Sequence, residues 1–257
     1  MPRNARKKSE TGIYHVVVRG INRQMIFHDE EDYQRYLETL ARIKKVSDCE
    51  IYGYCLMGNH VHLLIKENEE PIGVVMKRLG TSYAYWYNSK YEHIGHVFQD
   101  RYKSECVEED AYLMVVIRYI HNNPVKAGIE KKPEDYRWSS CQVYYGGKEY
   151  PQHLTKVDLV LGMFSDDAET SKKLFREFME QDNSDNCLED EKRKRASDKE
   201  VREAIQILLQ GESIDKLKEM EKEKRDSILS KMKEIEGSSI RQIARITGIG
   251  YNIIIRA

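Results

Sequence analysis

Gly58-Asn59-His60-Val61-His62-Leu63-Leu64-Ile65-Lys66 is the stretch from which the fold can be read. Gly58-Asn59 is a turn pair suited to a two-residue hairpin or a kink, and strand-like runs flank it at 50–57 and 60–66. Side chains alternate along a strand, so His60 and His62 emerge on one face while Val61 and Leu63 point into the opposite, apolar one. Two imidazoles that converge can hold a divalent metal, but two ligands are too few for a tight site. The pattern therefore predicts either a metal site that takes a third ligand from elsewhere or a pair of surface histidines. His15, His28, His93, His96, His121 and His153 have no mutual spacing that suggests a site.

Upstream, Tyr14 to Arg19 is a short β-branched run closed by Gly20 and predicts a strand. Residues 30–46 place Tyr33, Tyr36, Leu37, Leu40 and Ile43 at helical spacing. Downstream, Pro71 opens a helix to Asn88, 97–107 has extended character, and Asp110 is the expected N-cap of a helix that Pro124 stops at Asn122 or Asn123. The order strand, helix, two strands, helix, strand, helix predicts an antiparallel α+β sandwich. Beyond 150 the composition changes: 157–164 and 172–179 predict two short helices, and 182–187 a polar linker. More than half of residues 189–236 are charged, with Val201, Ile205 and Leu208 at helical spacing, as in solvated helices with a thin apolar stripe. The expected domains are 1–150, a segment of short helices and linker at 151–188, and a helical extension at 189–257.

Composition bounds the reading. With 257 residues, 40% hydrophobic and 33% charged, the chain can bury a core, which argues against wholesale disorder or a collagen-like repeat. Five widely spaced cysteines without a C-x-x-C pair predict reduced thiols. The longest apolar run, Ala111–Ile117, is far short of a membrane span, and the first ten residues lack a signal-peptide core. A cytoplasmic protein with no membrane partner is expected. The net charge of -1 predicts no polyanionic partner, so any nucleic-acid claim rests on local patches.

A second constellation lies on the proline-ended helix, Ile117-Arg118-Tyr119-Ile120-His121-Asn122-Asn123-Pro124. Tyr119 and Asn123 share a helix face one turn apart, beside a packing stripe of Leu113, Val116, Ile117 and Ile120. An amide oxygen suits Mg²⁺ or Mn²⁺, and a tyrosine beside that metal can attack a phosphorus bound to it. The alternative is a half-buried tyrosine and a helix-ending asparagine.

Taken together, H-x-H after Gly-Asn and Y-I-x-x-N-P-V-x-A-G on a later helix resemble the single-tyrosine HUH transposases, particularly their insertion-sequence and REP-associated branch. Tyr14-His15-Val16, Arg19-Gly20, Asn22-Arg23, Phe98-Gln99-Asp100-Arg101-Tyr102-Lys103 and Tyr136-Arg137-Trp138-Ser139-Ser140 extend the resemblance over 12–145. It implies a ferredoxin-like fold that binds single-stranded or hairpin DNA and cuts it without ATP. His60 and His62 would be metal ligands, Asn123 would hold the place of the third ligand, and Tyr119 would be the nucleophile. The implied product is a tyrosine 5'-phosphodiester and a free 3'-hydroxyl, which can reverse the attack and rejoin DNA. The implied cofactor is a divalent metal, Mg²⁺ or Mn²⁺. Related transposases can exchange the tyrosine helix between subunits, so a homodimer stands beside a monomer as an expectation.

Basic residues beside these motifs are candidates for phosphate contacts: an arm of Arg3, Arg6, Lys7 and Lys8, then Arg19, Arg23, Arg101, Lys103 and Lys126. Tyr102 and Trp138 could stack on bases or simply pack. Near the C-terminus, Ser238 to Ile249 reads as a capped helix ending at Gly248, followed by a second helix through Ile254. The spacing of Ala244, Gly248, Ile249 and Ile254 is that of a helix-turn-helix, with Arg241, Gln242 and Asn252 as its DNA-facing polar residues. Two further readings stay open: a non-catalytic DNA-binding regulator on the same fold, and a metallohydrolase that activates water. Only the transposase reading predicts DNA covalently attached to the protein.

Overall fold

The hairpin at Gly58-Asn59 joins β2 (Glu50–Met57) to β3 (His60–Lys66), and β3 pairs on its other edge with β1 (Ile13–Arg19) in a computed structural model of the chain. A short strand, β4 (Lys103–Cys106), closes the far side of β1, so the antiparallel sheet has the order β2-β3-β1-β4. With α1 (Glu30–Ser47) between β1 and β2 and α2 (Ile72–Lys90) between β3 and β4, this is the ferredoxin-like βαββαβ arrangement. The structure describes residues 7–181, 183, 185, 187–188, 196–209, 211–218, 220–235 and 237–257. Arg3 and Arg6 of the basic arm, and 189–195 of the charge-rich run, lie outside the described residues.

Register decides what each face carries. Tyr14, Val16 and Val18 of β1 and Val61, Leu63 and Ile65 of β3 share one face and form a core with Leu37, Leu40 and Ile43 of α1 and Val75 and Leu79 of α2. The other face is covered by α3 (Asp110–Lys126), through Leu113, Val116, Ile117 and Ile120. A bulge between Ile51 and Gly53 turns Tyr52 to that second face. At Gly53 α3 comes down onto the strand: a Cβ there would lie 2.4 Å from Ile117 Cδ1, so the isoleucine side chain would have to shift to admit one.

Two local expectations are corrected. Pro124 does not end α3, which runs on to Lys126; proline lacks only its own N–H, and the helix ends where the Ala127 and Gly128 amides bond to Asn123 and Val125 carbonyls. Its N-cap is Glu109 rather than Asp110, which occupies the first helical position. Of the extended stretch 97–107, only β4 and a bridge between Gly20 and Phe98 pair with the sheet.

After α3, α4 (Cys141–Tyr144), α5 (Asp158–Gly162) and α6 (Ala168–Glu180) complete the second core, where Phe175 stacks on Tyr144 with ring centroids 4.6 Å apart. Contacts divide the chain into two units, 1–188 and 189–257. In the second, α7 (Asp198–Leu208), α8 (Lys222–Met232), α9 (Ile240–Thr247) and α10 (Tyr251–Arg256) enclose their own cluster around Val201, Ile205, Leu229, Ile243 and Ile254. Ser239 caps α9 through the Gln242 amide, and Gly248, at φ 66°, takes the left-handed conformation that ends it. Among the described residues no helix is long and apolar enough to cross a membrane.

Candidate active site

Successive rows across the second face of the sheet hold the polar residues. One row is Cys55, His62, Val17 and Lys103; on one side of it runs Met57, His60 and Arg19, on the other Leu64, His15 and Glu105. His60 and His62 therefore share a face, with ring centroids 5.0 Å apart at 80°. Tyr119 of α3 meets them from above: its ring lies edge-on to His62 at 5.7 Å and to His15 at 5.9 Å. Tyr119 is 4% exposed and His62 3%.

His15 is the residue that sequence reasoning missed. Its Nε2 is 3.0 Å from His62 Nδ1, and its Nδ1 is 2.7 Å from Glu105 Oε1. Glu105 also accepts from the Leu188 amide at 2.9 Å. Burial alone would raise the Glu105 pKa, but the hydrogen bonds from His15 and Leu188 outweigh it and hold the carboxyl below its ordinary value. Burial pushes His62 well below the usual imidazole range, and the positive charge of Arg19 acts in the same direction. Burial thus favours the neutral form of His62, the form that can donate a lone pair.

The donor chemistry suits a divalent ion. His60 Nδ1 is bonded to Asn59 Oδ1 at 2.6 Å and His62 Nδ1 to His15, so on both rings Nε2 is the nitrogen that a metal would take. Asn123 donates its amide nitrogen to the Tyr119 carbonyl at 3.3 Å, a contact that does not engage its oxygen. Among the described residues no three His, Cys, Asp or Glu side chains are grouped to hold a metal ion, so a metal held by His60 and His62 would take any third side-chain ligand from another residue type.

The cationic candidates fall into three places. Arg19 and Lys103 share the histidine face by register, and Arg23 lies in the 21–24 turn whose carbonyl at Arg23 accepts from Asn59, next to His60. Lys126 sits beside the tyrosine, its Nζ 4.8 Å from the Tyr119 ring centroid and 3.1 Å from the Asp185 carbonyl. Arg101 is elsewhere: with Phe98, Tyr102 and Lys77 it lines a cavity of about 380 Å³ beside α2. In the second unit Arg241 and Asn252 are exposed, whereas Gln242 donates to the Ala196 carbonyl and Asp198. Trp138 stacks on Tyr33 at 4.5 Å and is a packing residue in this structure.

The family described as "Transposase IS200 like" matches residues 8–123, a span that begins before β1 and ends at Asn123. Over these residues, a little under half of the chain, the sequence is similar to the IS200-like transposase family. The stretch that carries the histidine pair and Tyr119 is thus the stretch that resembles a transposase. A solved structure of a REP-associated tyrosine transposase bound to a REP hairpin is similar in fold, with a TM-score of 0.50 at 16% identity over 74% of this chain and 99% of that one. A second, a putative transposase from Deinococcus radiodurans R1, has a TM-score of 0.34 at 21% identity, covering 47% of this chain and 97% of that one. No curated protein matches the sequence.

Proposed function

We propose that the transposase-like domain cleaves and rejoins single-stranded or hairpin DNA through a covalent phosphotyrosine at Tyr119, with a divalent metal, Mg²⁺ or Mn²⁺, held by His60, His62 and Asn123. The observation that carries this reading is the seat of Tyr119 against His62, within one face that also holds His60, Arg19 and Lys103. When bound, the metal would polarise the scissile phosphate and offset developing negative charge. A free phenol, with a pKa of about 10, is a poor nucleophile at neutral pH and needs such help.

The Tyr119 oxygen attacks phosphorus, the bond from phosphorus to the 3' oxygen breaks, and the phenolic proton ends on the released 3'-hydroxyl. One phosphodiester replaces another, so rejoining is the same step reversed and needs no ATP. Lys126, its Nζ 4.8 Å from the centroid of the Tyr119 ring, puts a positive charge beside the attacking residue. Arg19, Arg23 and Lys103 are the residues proposed to seat phosphates around the site, with Arg101 contacting DNA farther out. Residues 189–257 act as a DNA-binding extension in which Arg241, Gln242 and Asn252 meet the nucleic acid.

Incubating the protein with a panel of single-stranded hairpins and Mg²⁺ or Mn²⁺, then running a denaturing gel, tests the proposal. A protein–DNA adduct that needs metal and Tyr119 is the expected result. Binding without any adduct across the panel would favour the non-catalytic regulator, and cleavage without an adduct would favour water as nucleophile.

A further inference from the structure

The transposase reading uses His60, His62, Asn123 and Tyr119, and leaves unexplained why two more ionisable side chains are lined up behind His62. His15 is fully buried, yet both of its ring nitrogens are engaged, Nδ1 with Glu105 Oε1 at 2.7 Å and Nε2 with His62 Nδ1 at 3.0 Å. The two imidazoles stack with centroids 5.3 Å apart at 24°, and Glu105 is itself anchored by the Leu188 amide. Hydrogen-bond direction follows from these contacts. An ionised carboxylate only accepts, so His15 Nδ1 carries a hydrogen; with that one ring hydrogen, Nε2 keeps a lone pair and accepts from His62. That places the hydrogen of His62 on Nδ1 and its lone pair on Nε2.

We propose that Glu105 and His15 are positioning residues that lock His62 in the Nδ1–H tautomer, so that Nε2 is ready to ligate the divalent ion of the proposed reaction. The inference rests on that metal-dependent reading of the site. A purely structural His15 would only fill space, and phenylalanine would do so too; the chain of hydrogen bonds instead makes the protonation pattern of His62 depend on a carboxylate at the far side of His15.

The test uses the full chain without metal, labelled with ¹⁵N at histidine, and long-range ¹⁵N–¹H correlation spectra of the imidazole rings. His62 is expected to show a protonated Nδ1 and an unprotonated Nε2. Glu105→Ala, on the half-exposed edge strand, and His15→Phe are expected to mix or invert that pattern and to weaken Mn²⁺ binding, followed by electron paramagnetic resonance, by about 10- to 100-fold. Glu105→Gln, whose amide oxygen still accepts from His15, should restore most of both readouts. A protonated Nε2 on His62 in the unsubstituted protein would overturn the proposal, as would unchanged tautomer and Mn²⁺ affinity in folded Glu105→Ala. Protein that shows the expected tautomer but binds no Mn²⁺ would overturn the metal-dependent reading itself, and with it the role assigned to the chain.

Discussion

On one face of the sheet Val16, Val61, Leu63 and Ile65 meet α1 and α2 with no measurable exposure; on the other, the alternate residues of the same strands are His15, His62 and Arg19, facing α3. Both faces are covered, and the difference lies in what burial does. Apolar groups gain from leaving water whatever their orientation, so the first face is stabilised by area and fit. Polar groups lose hydration and recover it only through directed hydrogen bonds, so the second is ordered by the Glu105–His15–His62 chain and by Ser140, which bonds His121 at 2.8 Å. One strand thus supplies stability from its odd-numbered residues and candidate chemistry from its even-numbered ones: in β3, Val61 and Leu63 against His60 and His62.

That division can be broken from either side. On the polar side, Tyr119→Phe is expected to reduce adduct formation by about 10³-fold or more. The ring stays packed, so the urea midpoint should hardly move. An adduct formed at the original rate would mean that another tyrosine attacks, with Tyr112, Tyr102 and Tyr136 as the competitors.

On the apolar side the effect should be on stability alone. Leu63→Ala is expected to cost about 2–5 kcal/mol in urea unfolding, from lost transfer energy and a cavity under α1 and α2. Its adduct yield, measured where the protein remains folded, should stay near that of the unsubstituted chain. A large loss of cleavage without loss of stability would show that the two faces are not separable.

A smaller effect separates the two kinds of burial by pH. Burial pushes the His121 pKa down from 6.5 to about 3, and its Nδ1 has no hydrogen-bond partner among the described residues. The unfolded chain therefore binds a proton between these values that the folded chain refuses, so stability falls as pH drops through that window, by about 1.4 kcal/mol per pH unit. Buried His62 contributes a slope of the same sign, so His121→Gln should lessen the total slope without abolishing it, seen by urea titrations at several pH values; an unchanged slope would assign the effect to other groups.

The mildest change concerns the extension. A chain ending at residue 188 should keep the site and form the adduct at saturating DNA. Its plot of log affinity against log salt should flatten by roughly 0.7–0.9 for each DNA phosphate that residues 189–257 would otherwise neutralise. Failure to form any adduct at saturation would show that the extension contributes to the chemistry.

Much of the arrangement is legible in sequence for a definite reason. The hairpin at 50–66 and the shared face of His60 and His62 follow from a period of two and a turn pair, and the shared face of Tyr119 and Asn123 from a period of 3.6. The link from Glu105 through His15 to His62 is not legible, because these residues are 43 and 47 positions from His62 and no local period connects them. Tyr14-His15-Val16 does stand out as a motif, and parity with Arg19 puts His15 on that strand's polar face; what the sequence lacks is which strand lies beside it. The reach of α3 past Pro124 is hidden for a related reason: proline removes one amide hydrogen bond, and whether the last turn survives depends on packing around it, where Pro124 is buried.

By itself, then, the sequence determined the strands, the helices and the side of each element that carries polar groups, because those properties depend on residues within one or two turns of each other. Only the tertiary structure decided that β1 brings His15 beside His62, that Glu105 comes from the short outer strand, and that α3 descends at Gly53 to set Tyr119 against the histidines. Strand order and register are long-range choices, settled by which pairing buries Val16, Leu63 and Ile65 on one side while bringing Glu105, His15 and His62 within hydrogen-bonding reach of one another on the other.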